Sequence, residues 1–204
     1  MQISATQHDA LVELLNIGFG RAGASLSKLT GHRVLLEVPH VAIRPLDQLN
    51  ATLEELVKDE VASVHQVFSG PVAGDALLML DPAAAASLKQ LLTDEPPLPL
   101  AVDASGREVL TEVGNVLLNA CIGTFGNLLK VPVAFSVPEI DVASLHLVLQ
   151  RLTAAGDALR YALVITSGFR LRESEVTGYV VIILTVQSLT RLLIALEAWE
   201  KNQG

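Results

Sequence analysis

The sequence predicts an α/β (α+β) fold that is internally duplicated, with two long helices lying on one six-stranded central sheet. Of its 204 residues, 50% are apolar but only 4% are aromatic, which favours an aliphatic core built around a buried sheet. Helical and strand-like patterns alternate along the chain. The same elements recur in the same order, which predicts a pseudo-two-fold axis relating the two long helices and a single domain over residues 1–204.

The first half is expected to span about residues 1–92 and to begin with a long helix over 9–29. Gly31 follows at the position of a C-terminal glycine cap. Residues 32–43 alternate in the manner of a strand, and Pro39 marks a strand end or a sheet edge.

The rest of this half predicts two helices and a hairpin. Leucines at helical spacing indicate a short helix over 45–57. Residues 61–70 and 76–80 read as two strands joined by a turn rich in glycine and proline. Asp81 is expected to cap a closing helix over about 82–92.

Residues 93–103 contain three prolines and no periodicity, so they are expected to link the halves. The second half, 104–204, then retraces the first. Its predicted segments are a helix over 105–129, a strand ending near Pro138, a segment of undetermined type over 141–152, strands over 158–166 and 179–186, and a helix from Ser188.

One face of the first long helix carries polar residues that are candidates for function. At roughly 100° per residue, Asp9, Glu13, Asn16 and Gly20 fall within about 60° of one another. Apolar and small residues occupy the opposite face, which is the face expected to pack on the sheet: Leu11, Leu14, Leu15, Gly18, Ala22 and Leu26. The polar stripe is therefore expected to face solvent.

The stripe occurs a second time, as Glu108, Glu112 and Asn115. The offset is constant, because 112 minus 13 and 115 minus 16 both equal 99. The prolines keep the same register, since Pro39 follows Asn16 by 23 positions and Pro138 follows Asn115 by 23. An isolated triplet of this kind is usually a solvated helix face. The repetition with a matching proline favours a functional motif instead.

Composition argues against several classes of function. The net charge of −8 without a run of Lys or Arg argues against nucleic-acid binding. The longest apolar run, 179–184, is far shorter than the roughly 20 residues of a membrane-spanning helix. The first ten residues lack the basic and apolar regions of a secretory signal, so a cytoplasmic location is expected.

Metal, thiol and nucleotide chemistry are also disfavoured. Cys121 is the only cysteine and is expected to be a buried thiol, and no two histidines have ligand spacing on one helix face. Gly18, Gly20 and Gly23 spell G-x-G-x-x-G, but they lie inside a helical pattern rather than between a strand and a helix. Close helix packing is the expected reason for these glycines. Asp9 and Glu13 could hold Mg²⁺ only with further ligands, so protein recognition is preferred.

A carboxylate and a carboxamide one helical turn apart can position reactants without a metal, thiol or histidine. Positioning and electrostatics suffice for phosphoryl transfer, in which an amide can set a water in line with the phosphoryl group. Asn16 and Asn115 fit that role. Glu13 and Glu112 would then anchor a cation of the substrate protein, expected to be a lysine.

The motif D-x-x-x-E-x-x-N with its downstream proline, NIGFG in the first copy and GNVLLNACIG in the second, resembles the CheC family. That family comprises phosphatases of CheY-type response regulators in chemotaxis, with CheX and the phosphatase part of FliY as relatives. The resemblance implies two sites, Glu13 with Asn16 and Glu112 with Asn115. In each, Asn orients water toward the aspartyl phosphate and Glu pairs with the regulator's lysine. The Mg²⁺ belongs to the regulator, so no cofactor is expected on this chain.

The second copy departs from the family pattern, because such motifs start with Asp or Ser and Glu108 stands at that position. The longer Glu108 side chain predicts that the first site dominates. The resemblance also implies CheD, a receptor-modifying deamidase, as a possible partner through the region after Pro138. The alternative is a non-enzymatic regulator-binding module, such as a flagellar-switch or scaffold component.

Overall fold

The computed structural model describes residues 3–37, 39–57, 60–94, 104–153, 160–171 and 174–201. The α-helices of these ranges are α1 (Ala5–Thr30), α2 (Leu49–Leu56), α3 (Pro82–Thr93), α4 (Ala104–Leu129), α5 (Leu145–Thr153) and α6 (Val186–Lys201). The strands are β1 (Val34–Leu36), β2 (His40–Pro45), β3 (Glu60–Ser69), β4 (Gly74–Leu80), β5 (Ala134–Phe135), β6 (Glu139–Ser144), β7 (Arg160–Leu171) and β8 (Ser174–Thr185). A 3-10 helix (Leu46–Gln48) precedes α2.

The described strands form one antiparallel sheet of eight segments in the order β1-β7-β8-β4-β3-β5. The remaining two segments share the edge positions, because β2 also pairs with β7 and β6 also pairs with β3. The eight segments therefore fill the six positions predicted from the sequence. Each edge is broken just before the second segment, at Pro39 and Pro138, because proline has no N–H to donate to a strand ladder.

The strand order reads the same in reverse when β1, β2, β3 and β4 are exchanged with β5, β6, β7 and β8. This symmetry is compatible with the predicted pseudo-two-fold axis. The central pair, β4 and β8, comes from opposite halves. Each half also contributes its edge strands to the other half, since β1 and β2 pair with β7 while β5 and β6 pair with β3. The division into half-repeats stays a prediction, and residues 95–103 of the predicted linker lie outside the described residues.

Helices cover both faces of the sheet. One hydrophobic core joins the sheet to α1, α3, α4 and α6, and a second joins its other face to α2 and α5. The central strand β4 alternates between them, with Leu78 and Leu80 in the first core and Leu77 and Met79 in the second. Burial on both faces explains why the central strands are continuously apolar in sequence.

Helix α1 is longer than predicted. It begins at Ala5 rather than near Asp9, because Ser4 and Gln7 form a capping box in which each side chain accepts a hydrogen bond from the other residue's backbone N–H. Its end is as expected, with Gly31 in the left-handed conformation at φ 70°. The segment 141–152, undetermined from sequence, divides into the end of β6 and most of α5.

Among the described helices, α4 has the length and apolar composition of a membrane-crossing segment. However, 56% of that stretch is buried inside the fold. Such burial is usual for the central helix of a packed core.

Candidate functional site

The apolar face predicted for α1 is its buried face. All six residues assigned to that face are buried: Leu11, Leu14, Leu15, Gly18, Ala22 and Leu26. Helices α1 and α4 approach closely at Gly18, where a Cβ would lie 3.2 Å from the Ala120 carbonyl oxygen. Gly23 allows a similar approach to β1, with a Cβ 3.3 Å from the Val34 carbonyl oxygen.

The explanation by close packing is wrong for Gly20. A Cβ on this residue would meet no atom within 4 Å, because Gly20 lies on the exposed stripe rather than against a neighbouring helix. Its place in the middle of α1 also excludes the strand-to-helix turn that a dinucleotide fingerprint requires.

The predicted site residues of both helices face outward. The carboxylate residues Asp9, Glu13, Glu108 and Glu112 are exposed, and Asn16 and Asn115 are partly exposed. In each copy, therefore, the glutamate and the asparagine lie one turn apart on a surface that another protein can reach. The motif prolines differ from them, since Pro39 is buried and Pro138 is partly buried beside the sheet edge.

Asn115 is held by two other amide side chains. Its Oδ1 accepts a hydrogen bond of 2.8 Å from Asn119 Nδ2 and one of 3.4 Å from Gln66 Nε2. Gln66 is only 2% exposed, and its Nε2 also donates to the Ser136 carbonyl oxygen at 2.9 Å. This network ties the second motif helix to β3 and to the segment that leads to Pro138.

The network keeps two buried acceptors without a partner among the described residues, Gln66 Oε1 and Asn119 Oδ1. Buried amide oxygens are normally satisfied, so these two are places for a water or for a donor from outside the chain. Sequence reasoning missed Gln66. The available signal was a polar residue on the alternating face of β3 that otherwise carries Ala62, Val64 and Phe68.

Asn16 has no such restraint. Its side chain makes no hydrogen bond to any residue in the described part of the chain. The offset of 99 between the two long helices explains part of the difference, because the counterpart of Asn119 is Gly20. Glycine has no side chain to hydrogen-bond an amide, so Asn16 is free to turn toward an incoming group.

The described residues offer little alternative chemistry at these helices. No group of three or more His, Cys, Asp or Glu residues among them could hold a metal ion. Cys121 is fully buried, as predicted, and burial raises the pKa of its thiol to about 12. A thiol that stays protonated is a poor nucleophile. The candidate groups at the two predicted sites are the Asn and Glu side chains.

Comparison with known proteins gives the family context. No protein-family model matches the chain. The CheY-P phosphatase CheC of Bacillus subtilis (strain 168) is 25% identical over 205 residues, covering 96% of both chains. FliY of Thermotoga maritima has a similar structure, with a TM-score of 0.76 at 16% identity over 97% of this chain and 99% of that one.

The same fold occurs in the FliM middle domain from H. pylori, with a TM-score of 0.65 at 10% identity over 95% of this chain and 99% of that one. At these identities the two solved structures establish the fold alone. The full-length match to CheC adds the sequence relationship. Together they confirm the resemblance predicted from the doubled motif: the chain is similar in sequence to CheC along its full length and similar in fold to FliY.

Proposed function

We propose that the protein stimulates hydrolysis of the aspartyl phosphate on a CheY-type response regulator. The observation that carries this proposal is the pair of exposed Glu-x-x-Asn motifs on a relative of a CheY-P phosphatase. Asn16 or Asn115 orients the attacking water, and Glu13 or Glu112 pairs with the regulator's lysine. The regulator supplies the Mg²⁺, which neutralises charge on the phosphoryl group.

This mechanism asks little covalent work of the protein. A phosphoryl group already activated on an aspartate needs a water in line and its charges balanced, and an amide with a free oxygen can hold that water. The carboxylate supplies a charge-assisted hydrogen bond to the lysine, which fixes the register of the two proteins. Both groups lie on one face of one helix, so a docked regulator meets them together.

The alternative is a binding module that holds a regulator without hydrolysing its phosphate. The fold itself does not separate the two functions, because a fold alone does not determine an activity. The motif favours the phosphatase, since binding alone does not require an asparagine in both copies. CheD binding through residues after Pro138 stays a prediction, as does a cytoplasmic location.

The direct test is phosphate release from a phosphorylated CheY-type regulator. Adding the purified protein in catalytic amounts is expected to accelerate release well above the regulator's own rate. The unphosphorylated regulator serves as the control for background phosphate. Stable binding with an unchanged release rate would establish the binding module instead.

The two glutamates are expected to act mainly in association. Replacing Glu13 and Glu112 by alanine should weaken binding, and neutralising the regulator's lysine should have the same effect. In a double-mutant cycle the two changes are expected to couple by about 1.5 kcal/mol or more, as close charge pairs at interfaces do. Purely additive losses would show that the carboxylates have a different role.

A further inference from the structure

A groove of about 280 Å³ lies beside the first motif, between α1, the end of α4 and α6. Its apolar wall includes Leu14, Ile17, Leu128 and Trp199, and its charged rim includes Arg21 and Lys130. We call it the Arg21–Lys130 groove. Leu14 and Ile17 directly follow Glu13 and Asn16, so the groove runs along one flank of the exposed stripe.

Both cations on the rim are available to a partner. Arg21 and Lys130 are exposed, and neither forms a salt bridge with a residue that the structure describes. In a chain of net charge −8, two unpaired cations on one groove stand out from the surrounding surface. They give this flank of the motif a charge opposite to that of Asp9 and Glu13.

The backbone at Lys130 adopts a conformation that glycine usually occupies. Lys130 has a φ of 54°, in the left-handed region that favours glycine. Its counterpart at the offset of 99 is Gly31, which has a φ of 70° at the end of α1. A non-glycine residue in this conformation costs about 1–2 kcal/mol. The counterpart of Arg21 is Ala120, and the cation pair therefore belongs to the first motif alone.

We infer that the Arg21–Lys130 groove is a docking surface for the response regulator, and that it takes an acidic segment with an apolar anchor residue. This inference rests on the proposed function. A standard interface buries about 800 Å² on each partner, so a regulator whose phosphoryl group reaches Asn16 also covers the adjacent groove. Ile17 is 37% exposed and supplies apolar surface at that junction.

Charge balance explains why the regulator is the occupant. A regulator that binds Mg²⁺ carries carboxylates beside its phosphorylated aspartate, and Asp9 and Glu13 repel those carboxylates even though Glu13 pairs with the lysine. Arg21 and Lys130 offset that repulsion and steer the regulator to the first motif. A groove that recognises charge and an apolar anchor residue can also select among regulators. The Glu-x-x-Asn motif cannot do so, because it contacts only the phosphorylated aspartate and the lysine, which all such regulators share.

The test is charge reversal in the Arg21→Glu/Lys130→Glu variant, assayed in an Asn115→Ala background so that the first site alone turns over. The KM for the phosphorylated regulator is expected to rise about tenfold or more with kcat nearly unchanged, since rim charges act on encounter. The salt dependence of KM should decrease. The KM of the milder Arg21→Gln/Lys130→Gln variant should lie between those of the unaltered groove and the charge-reversed groove. The matched control is Arg33→Glu/Arg44→Glu, which makes the same change in charge at exposed residues outside the groove.

The outcomes separate this inference from the proposed function. Loss of turnover in Asn16→Ala/Asn115→Ala with an unchanged KM in the charge-reversed protein would overturn the groove alone. A second outcome is that the unaltered protein binds the regulator in a salt-dependent way but releases no phosphate, and that charge reversal removes the binding. This result would support the groove as a docking surface and overturn the proposed phosphatase activity. Loss of self-association instead of regulator binding would assign the groove to a second copy of the chain and overturn the inference.

Discussion

The double variant Asn16→Ala/Asn115→Ala is expected to lose nearly all stimulated phosphate release, about 10²-fold or more, because the attacking water loses the amide that holds it. Neither change removes a buried apolar group, and both residues lie on exposed faces. The measurement is phosphate release from the phosphorylated regulator at saturating concentration. An undiminished rate in the double variant would exclude the water-orienting role of both residues.

The structure adds an expectation about stability that exposure alone does not give. Asn16 has no hydrogen-bond partner among the described residues, so Asn16→Ala should change the free energy of unfolding by less than about 0.5 kcal/mol. Asn115→Ala removes the acceptor of Asn119 Nδ2 and of Gln66 Nε2 and should cost about 1 kcal/mol. Thermal unfolding of the single variants separates this cost from the effect on activity.

Local patterns in the sequence were sufficient to predict most of the fold. The spacing of leucines identified the helices, and the glycines and proline between two apolar runs identified the hairpin β3–β4. The predicted cap of α3 is also present, because the Asp81 side chain accepts a hydrogen bond of 2.7 Å from the Ala84 N–H. The start of α1 was readable too, because Ser4 and Gln7 form the S-x-x-Q pattern of a capping box. The breaks at the two sheet edges occur at single prolines, Pro39 and Pro138. Their effect depends on which strands pair, and the sequence does not show that pairing.

The outward direction of the motif residues was also predictable, since helical periodicity decides it. The environment of the asparagines was not. Gln66 and Asn115 are 49 residues apart, and they meet only because α4 packs on β3 with Gly114 against Val64. The groove at Arg21 and Lys130 likewise combines residues more than a hundred positions apart. Contacts of this kind depend on tertiary packing rather than on any local pattern.

Unequal turnover by the two sites is the second large effect that we expect, with Asn16→Ala losing more activity than Asn115→Ala. To orient a water for attack, the amide oxygen must accept a hydrogen bond from it. Both lone pairs of Asn115 Oδ1 are already used, by Asn119 Nδ2 and Gln66 Nε2. Asn16 Oδ1 is free to accept. This reason is independent of side-chain reach at Glu108, which predicts the same order.

The cause can be tested by releasing Asn115 from its restraint. In an Asn16→Ala background only the second site turns over, and adding Asn119→Ala removes the 2.8 Å hydrogen bond to Asn115 Oδ1. Phosphate release is then expected to rise several-fold, because the freed oxygen can accept from water. Gln66→Leu, which removes the other donor to Asn115 Oδ1, should act in the same direction and is expected to lower stability. A further fall in activity with Asn119→Ala would show that Asn115 works as a held donor, so that the restraint is part of its mechanism and the second site is the better organised of the two.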